Sequence, residues 1–259
     1  MNVKTRGLQR MMPWILPLGV LLAWQILTQY RLIGSNILPR PIEVFRACAD
    51  LLYSGDLLRY IVSSAKRALA GFLIGGSIGF SLGLITGVSG FFEKILDASI
   101  QMLRNIPHLA LIPLIILWFG IGEEAKIVLV ALGVFFPIYL NTYHGIRSID
   151  SGLLEMGRVY GLRGLSLFRN IVLPGSLPSI LVGVRYALGI MWLTLIVAET
   201  VAADSGIGYM AMNAREYMQM DVIVLSVIIY ALLGKLSDSL AKGMEKRWLQ
   251  WHPNFKKEI

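Results

Sequence analysis

The chain has 259 residues, of which 56% are hydrophobic and only 15% charged, and its mean hydropathy of +0.65 lies outside the usual range of water-soluble globular proteins. A formal net charge of +8 would suggest a nucleic-acid partner in a soluble protein. Here, however, much of the positive charge falls at the chain ends and between apolar runs, which reads as membrane topology and excludes nucleic acid as the expected partner.

The N-terminal segment has a basic beginning, Lys4, Arg6 and Arg10, and an apolar stretch with no small-residue cleavage site before Arg31. It is expected to be a retained first span and not a removed signal peptide. A bilayer core of roughly 30 Å takes about twenty apolar residues per helix. Six stretches meet that requirement, at about 13–29, 66–88, 97–119, 126–143, 178–200 and 222–241. The expected fold is all-α, with an N-terminal span and outer amphipathic region over 1–65, a core over 66–245 that contains an organised loop at 150–178, and a tail over 246–259. With the N-terminus inside, six crossings return the C-terminus inside, where Lys242, Lys246, Arg247, Lys256 and Lys257 follow the last span. The same topology puts Arg147, Arg158, Arg163 and Arg169 inside and leaves Arg215 alone in the loop after span five. The exception is the outer segment after span one, with Arg31, Arg40, Arg46 and Arg59.

That segment begins with the extended lead-in Asn36-Ile37-Leu38-Pro39-Arg40-Pro41. Ile42, Phe45, Ala49 and Leu52 then recur at helical spacing opposite Glu43, Arg46 and Asp50, predicting an amphipathic helix at the outer interface that connects the spans. Cys48 lies in it; as the sole cysteine it excludes an internal disulfide or a cysteine metal cluster. Span two carries Gly71, Gly75, Gly79, Gly83 and Gly87, every fourth residue, a stripe that lets another helix backbone approach closely. Span three is interrupted by Pro107 and Pro113, with Arg104, Asn105 and His108 near the first of them. Polar side chains and freed backbone groups at membrane depth must face protein or a water-filled cavity. No second copy of this pattern occurs in the other half of the chain, which argues against an inverted-repeat secondary transporter.

The loop from Asp150 to Pro178 is longer than a connector needs. Leu153, Leu154, Met156, Val159 and Tyr160 mark an amphipathic helix capped by Asp150 or Ser151, Gly161 permits a turn, and Leu162 to Phe168 form a second short helix before Pro174 and Pro178. Glu155, Gly161, Ile171, Leu173 and Pro174 fall at the spacing of the "EAA" loop, and the chain here resembles the permease subunits of bacterial ABC importers. Met156 and Gly157 stand where that family has two alanines. The resemblance extends through Leu38-Pro39, Arg67 to Gly87, Pro113 to Gly122, and Ala198-Glu199 followed by Ser205-Gly206-Ile207-Gly208-Tyr209. The runs 101–108, 192–199 and 212–216 are similar to the aliphatic sulfonate permeases within the sulfonate, taurine, nitrate and bicarbonate subgroup.

The resemblance implies a type I importer permease in the bacterial inner membrane, surrounded by lipid and paired with a second copy of itself. It implies an ATP-binding subunit dimer that carries the ATP and magnesium, and a periplasmic or lipid-anchored substrate-binding protein. Glu155, Met156, Gly157, Gly161, Leu162, Arg163, Phe168, Leu173 and Pro174 are then the ATPase-coupling loop. In accord with that division of labour, no GxxxxGK[ST] phosphate-binding loop occurs in the chain, so no ATPase activity of its own is expected.

Arg104, Asn105, His108, Thr194 and Glu199 are the candidates for a translocation path. For each the plain alternative stays open: Arg104 snorkels to the interface or pairs structurally, and His108 hydrogen-bonds within the fold. Arg185 and Glu199 stand fourteen residues apart on one helix, about 21 Å, and so need separate partners; Arg185 is expected to brace the loop or span three. His108, His144 and His252 are too scattered to suggest a metal site. An ion-driven secondary transporter would need a relay of buried acids, whereas Glu199 is the one acid well within a proposed span. A membrane scaffold would leave the broken span and the organised loop unexplained, and no nucleophile and base stand at a convincing spacing for an intramembrane enzyme.

Overall fold

The structure, a computed structural model, describes residues 3–30, 32–34 and 37–251, without the side chains of 3–14 and of Ala202. The charges expected at Lys4, Arg6, Arg10, Arg31, Lys256 and Lys257, together with Asn36 and His252, lie outside that description. The described residues are helical from end to end: α1 (Val3–Gln29), α2 (Pro41–Tyr53), α3 (Asp56–Val88), the single turn α4 (Gly90–Phe92), α5 (Ala98–Arg104), α6 (Ile112–Phe119), α7 (Glu123–Arg147), α8 (Ser151–Val159), α9 (Gly164–Leu167), α10 (Leu173–Ala202), α11 (Ile207–Glu216) and α12 (Met220–Trp248). Wide π turns at Glu93–Asp97 and Phe168–Val172 lead into α5 and α10, and a 3₁₀ turn at His108–Leu111 leads into α6.

Four helical runs are long and apolar enough to cross a membrane: 56–88, 123–147, 164–201 and 220–248. A fifth forms if the pair Gly90–Arg104 and His108–Phe119, bent by 81°, counts as one broken span. The sixth expected span falls on α1, of which the apolar part with described side chains, Ile15–Gln29, is shorter than a full crossing. α3 begins at Asp56, so the expected boundary at residue 66 falls inside one continuous helix.

α7 occupies the centre, and small residues let its neighbours reach it. A Cβ on Gly79 would lie 2.6 Å from the carbonyl oxygen of Phe135, and one on Gly83 2.6 Å from that of Tyr139. Gly71 faces Ile127 and Val130, Gly75 faces the backbone of Ala131, and Gly87 faces Ile146. The contacts advance together, so α3 and α7 run parallel with their every-fourth-residue rows interlocked. On its other side α7 meets α10 antiparallel, Gly183 against Asn141 and Pro137, Gly145 against Ser179. The core of Val130, Val134, Ile138, Ala187, Met191 and Leu195 fills the space between these helices.

α2 is held at its start by Pro41 in the first turn and by the Arg40 amide donating to Glu43 Oε2 at 2.8 Å. Trp24 Nε1 of α1 donates to Pro39 O at 2.9 Å. Val44 and Ala47 of α2 are buried and Cys48 and Leu51 pack with the core, whereas Ile42, Phe45 and Leu52, the apolar face expected at the interface, are exposed on the protomer. The helix thus has a second apolar face, which periodicity did not single out and which packs on the bundle.

The α3–α7 seam predicts that Gly75→Val lowers stability by about 1–3 kcal/mol, the usual range for overpacking. Gly234→Val, where a Cβ meets nothing within 4 Å, should change it far less. Thermal unfolding of the detergent-purified proteins measures the difference, and equal melting of both variants would contradict the seam.

Candidate functional site

Three clusters stand out along the bundle: the end that carries residues 148–172, the middle, and the opposite end. At the loop end Asp150 caps α8 by accepting from the amides of Gly152 and Leu153 at 2.6 and 3.3 Å. The helix stops at Gly161, whose φ of +81° is a left-handed conformation natural to glycine, with Gly161 N donating to Arg158 O at 3.0 Å and Leu162 N to Gly157 O at 2.9 Å. Gly157 is buried under Leu167 and Ile171, and a Cβ there would lie 2.8 Å from Leu167 Cδ1 and nearer still to Ile171 Cδ1. Glycine in place of the alanine of the resembled loop thus lets α8 close on the α9 turn. Phe168 begins the π turn that leads to Leu173, and Pro174 sits in the first turn of α10, where no amide donor is needed. Glu155 and Arg163 are exposed and make no hydrogen bond or ion pair with described residues, and Leu162 is half-buried. Around Glu155 the loop exposes Leu153, Met156, Val159, Tyr160 and Leu165.

In the middle, the break at 105–107 separates α5 from α6. Pro113 is not a second break as expected; it lies in the first turn of α6. His108 Nε2 and Thr194 Oγ1 are 3.0 Å apart, packed on Gly133 of α7, where a Cβ would lie 2.7 Å from Thr194 Oγ1. Pro137 removes the helical donor to the Gly133 carbonyl at the same level. Arg104 and Asn105 are exposed on the near side of the break, and their side chains make no hydrogen bond or ion pair with described residues. Below them Tyr139 donates to Asp97 at 3.1 Å and Tyr143 to Glu93 at 2.6 Å, and Arg147 pairs with Glu93, so α5 is tied to α7 toward the loop end.

At the opposite end the structure places Glu199 in a closed cluster. Its carboxylate accepts from Ser64 Oγ, Arg67 Nη1, Gly208 N and Tyr230 Oη, all at 2.8–2.9 Å, and it is 1% exposed. Arg67 in turn holds Glu123 with two hydrogen bonds of 2.5 and 2.6 Å and reaches the carbonyl and hydroxyl of Ser205. Lys126, also buried, donates to Glu123 at 3.0 Å. The chain passes over this carboxylate at Gly206, φ +107°, and at Gly208, whose Cβ would lie 2.5 Å from Glu199 Cβ. The run Ser205-Gly206-Ile207-Gly208 is therefore the wrapping of Glu199 by the start of α11, whose free amides favour a negative charge. With its oxygens taken, Glu199 presents nothing to a path.

Arg67, Glu123 and Ser64 escaped the sequence reading. The signal was there: Arg67 lies four residues before Gly71, on the row that faces α7, and α7 opens with Glu123. Arg185 braces neither the loop nor span three; it donates to Asp238 of α12 at 2.7 Å and lies 3.7 Å from Glu245. No group of three or more His, Cys, Asp or Glu among the described residues could hold a metal ion.

Residues 77–250, two thirds of the chain, match the family described as "Binding-protein-dependent transport system inner membrane component". The chain belongs to that family. This permease is 59% identical over 96% of its length to the putative aliphatic sulfonates transport permease protein SsuC of Escherichia coli K12, covering 95% of that relative. It is 41% identical to the protein of the same name in Bacillus subtilis 168, over 93% of this chain and 87% of the relative. It is also 30% identical to the taurine transport system permease protein TauC of E. coli K12, over 91% and 88% of the two chains. An inward-facing structure of the MetNI methionine ABC transporter shares its fold, with a TM-score of 0.59 at 20% identity over 74% of this chain and 97% of that one. The permease is an inner-membrane component of an ABC transporter and works with ATP-hydrolysing and substrate-binding partners.

The closed cluster sets a prediction. Glu199→Ala removes one of the two carboxylates that hold Arg67 and leaves Ser64 Oγ, Gly208 N and Tyr230 Oη without their acceptor, and should cost about 3–5 kcal/mol, as removal of one member of a buried pair does. Glu123→Gln, at a side chain 52% exposed, should cost clearly less. Folded yield and melting of the purified variants decide it, and wild-type behaviour of Glu199→Ala would count against the cluster.

Proposed function

We propose that this permease imports aliphatic sulfonates, and that 153–168 is the segment through which a separate ATPase drives it. The observation that carries the reading is the loop end: a short helix, capped by Asp150 and folded back at Gly161, that exposes Leu153, Met156, Val159 and Tyr160 around an unpartnered Glu155. Contiguous apolar surface of this kind, rimmed by charge, marks a protein contact. The relatives' names support the substrate class, sulfonates first and taurine next.

In this reading two copies of the permease enclose the path and two ATPase subunits carry ATP and magnesium. A periplasmic or lipid-anchored protein delivers the substrate. The coupling segment comprises Glu155, Met156, Gly157, Gly161, Leu162, Arg163 and Phe168, continued by Leu173 and Pro174. Both termini lie in the cytoplasm with the loop, and the Glu199 cluster lies at the periplasmic end. ATP-driven closure of the ATPase pair shifts the loop, and the packed helices switch as rigid bodies between inward-open and outward-open arrangements.

Proteoliposomes holding the permease with its ATPase and binding protein test this reading. An alkanesulfonate should stimulate ATP hydrolysis, and taurine and nitrate should not. Stimulation by nitrate or taurine instead would move the substrate, and failure to assemble with any ATPase would overturn the mechanism. Val159→Asp, which places a charge in the apolar face, should lower stimulated hydrolysis at least tenfold, and Glu155→Ala should lower it by a smaller factor; full activity in both would remove the loop from the mechanism.

A further inference from the structure

The lysines and arginines within the bundle differ in how their charges are met. Arg67 is neutralised by Glu199 and Glu123, Lys126 by Glu123, and Arg185 by Asp238 and Glu245. Arg104 differs: among the described residues its guanidinium has no carboxylate, hydroxyl or carbonyl partner, and it is exposed on the surface of the protomer. Its depth makes this costly. Asp97 is level with Tyr139, eight residues or about 12 Å from the loop end of α7, and Arg104 follows seven residues later, just before the 81° bend. The next fixed point, His108, touches Thr194 over Gly133, about 15 Å from the far end of α7. In the chain Arg104 lies between these two points, which stand about 12 and 21 Å from the loop end of α7, within the span of a hydrocarbon core of about 30 Å.

An arginine at that depth against lipid is disfavoured by at least about 2.5 kcal/mol, so the surface that bears it faces water or protein. The backbone agrees, because the helix is interrupted at 105–107 beside Arg104, and non-helical backbone at membrane depth is tolerated where it lines a water-filled cavity or is covered by protein. Asn105 adds an amide whose described side chain is likewise unpartnered.

We propose that Arg104 and Asn105 form an anion-contacting station on the translocation path, where the guanidinium meets the sulfonate group of the passing substrate. This rests on the importer reading above. The planar guanidinium presents paired N–H donors to two sulfonate oxygens, as it does to carboxylate and phosphate. A station of one cation is weak enough to release its ligand, as a path requires. His108 is the strut behind it: its contact with Thr194 over Gly133 fixes the far side of the bend, so the donors stay aimed while α5, tied to α7 through Asp97 and Glu93, moves with the loop end.

The test places a thiol beside the arginine. In a Cys48→Ser chain assembled with its ATPase and binding protein, Asn105→Cys is labelled with sulfonatoethyl methanethiosulfonate, itself an alkanesulfonate, and with the cationic trimethylammonioethyl reagent. Each rate is divided by that for a free thiol in solution. The anionic reagent should be favoured at least fivefold, that preference should fall at least fivefold when Arg104→Gln is added, and an alkanesulfonate should slow labelling at least threefold only while Arg104 is present. Met102→Cys, on the same exposed stretch, repeats the measurement if the first variant assembles poorly. Absence of labelling at both positions, or a preference that Arg104→Gln leaves within twofold, overturns the proposal. Sulfonate uptake by the same liposomes is recorded in parallel. A charge effect without uptake supports the anion station and faults only the substrate assigned to the importer.

Discussion

α7 has backbone contact on two sides, and this constraint sets where everything else can go. Gly71, Gly75, Gly79 and Gly83 of α3 bring one helix within carbonyl distance of it, and Gly145 and Gly183 do the same for α10, while Gly87 and Gly133 make room for side chains. In a bilayer the gain comes from packing, since lipid tails are as apolar as leucine. A three-helix slab assembled this way has fixed ends. The start of α7 delivers Glu123 to Arg67, and its finish delivers Tyr143 and Arg147 to Glu93. The broken span is thereby tethered to α7 below its break by polar contacts and above it by Ile115 packed with Leu129 and Ala198.

Along this slab the polar groups are satisfied unevenly. The Glu199 end is closed, with the carboxylate and the Arg67 guanidinium both fully engaged, and α3, α7, α10, α11 and α12 all contribute. A buried carboxylate with four hydrogen bonds and a bidentate arginine beside it resists rearrangement, because breaking any member leaves a charge in an apolar surround. The middle and the loop end are open. Rigidity at one end and unfilled contacts at the other two places are what a lever needs: a fixed point, a surface to be pushed, and a region whose exposure changes when it is.

Much of this was legible in the residues. The glycine row, the break at Pro107 and the hairpin of 150–174 each depend on local rules, and the structure places them as those rules require. What was not legible came from residues whose meaning is set across the fold. Glu199 looked like a path acid because its partners, Ser64, Arg67 and Tyr230, are 135, 132 and 31 positions away. The inward face of α2, Val44, Ala47 and Cys48, was not singled out because only Leu57 and α12 give it a neighbour. Arg185 found α12, which sequence distance gave no reason to prefer over the loop.

Gly157 shows how a departure from a motif can carry more information than a match. Alanine at that place would press its methyl against the terminal methyls of Leu167 and Ile171, which would have to give way. With glycine, α8 sits directly on the following turn and its outward side chains stand clear: Val159 is 85% and Tyr160 79% exposed. The rest of the loop need only keep the hairpin stiff, which the Asp150 cap and the Gly161 reversal do locally. A segment rigid by its own hydrogen bonds can transmit a displacement from whatever covers its apolar face to the start of α10, directly after the π turn, without first having to be ordered by the contact itself.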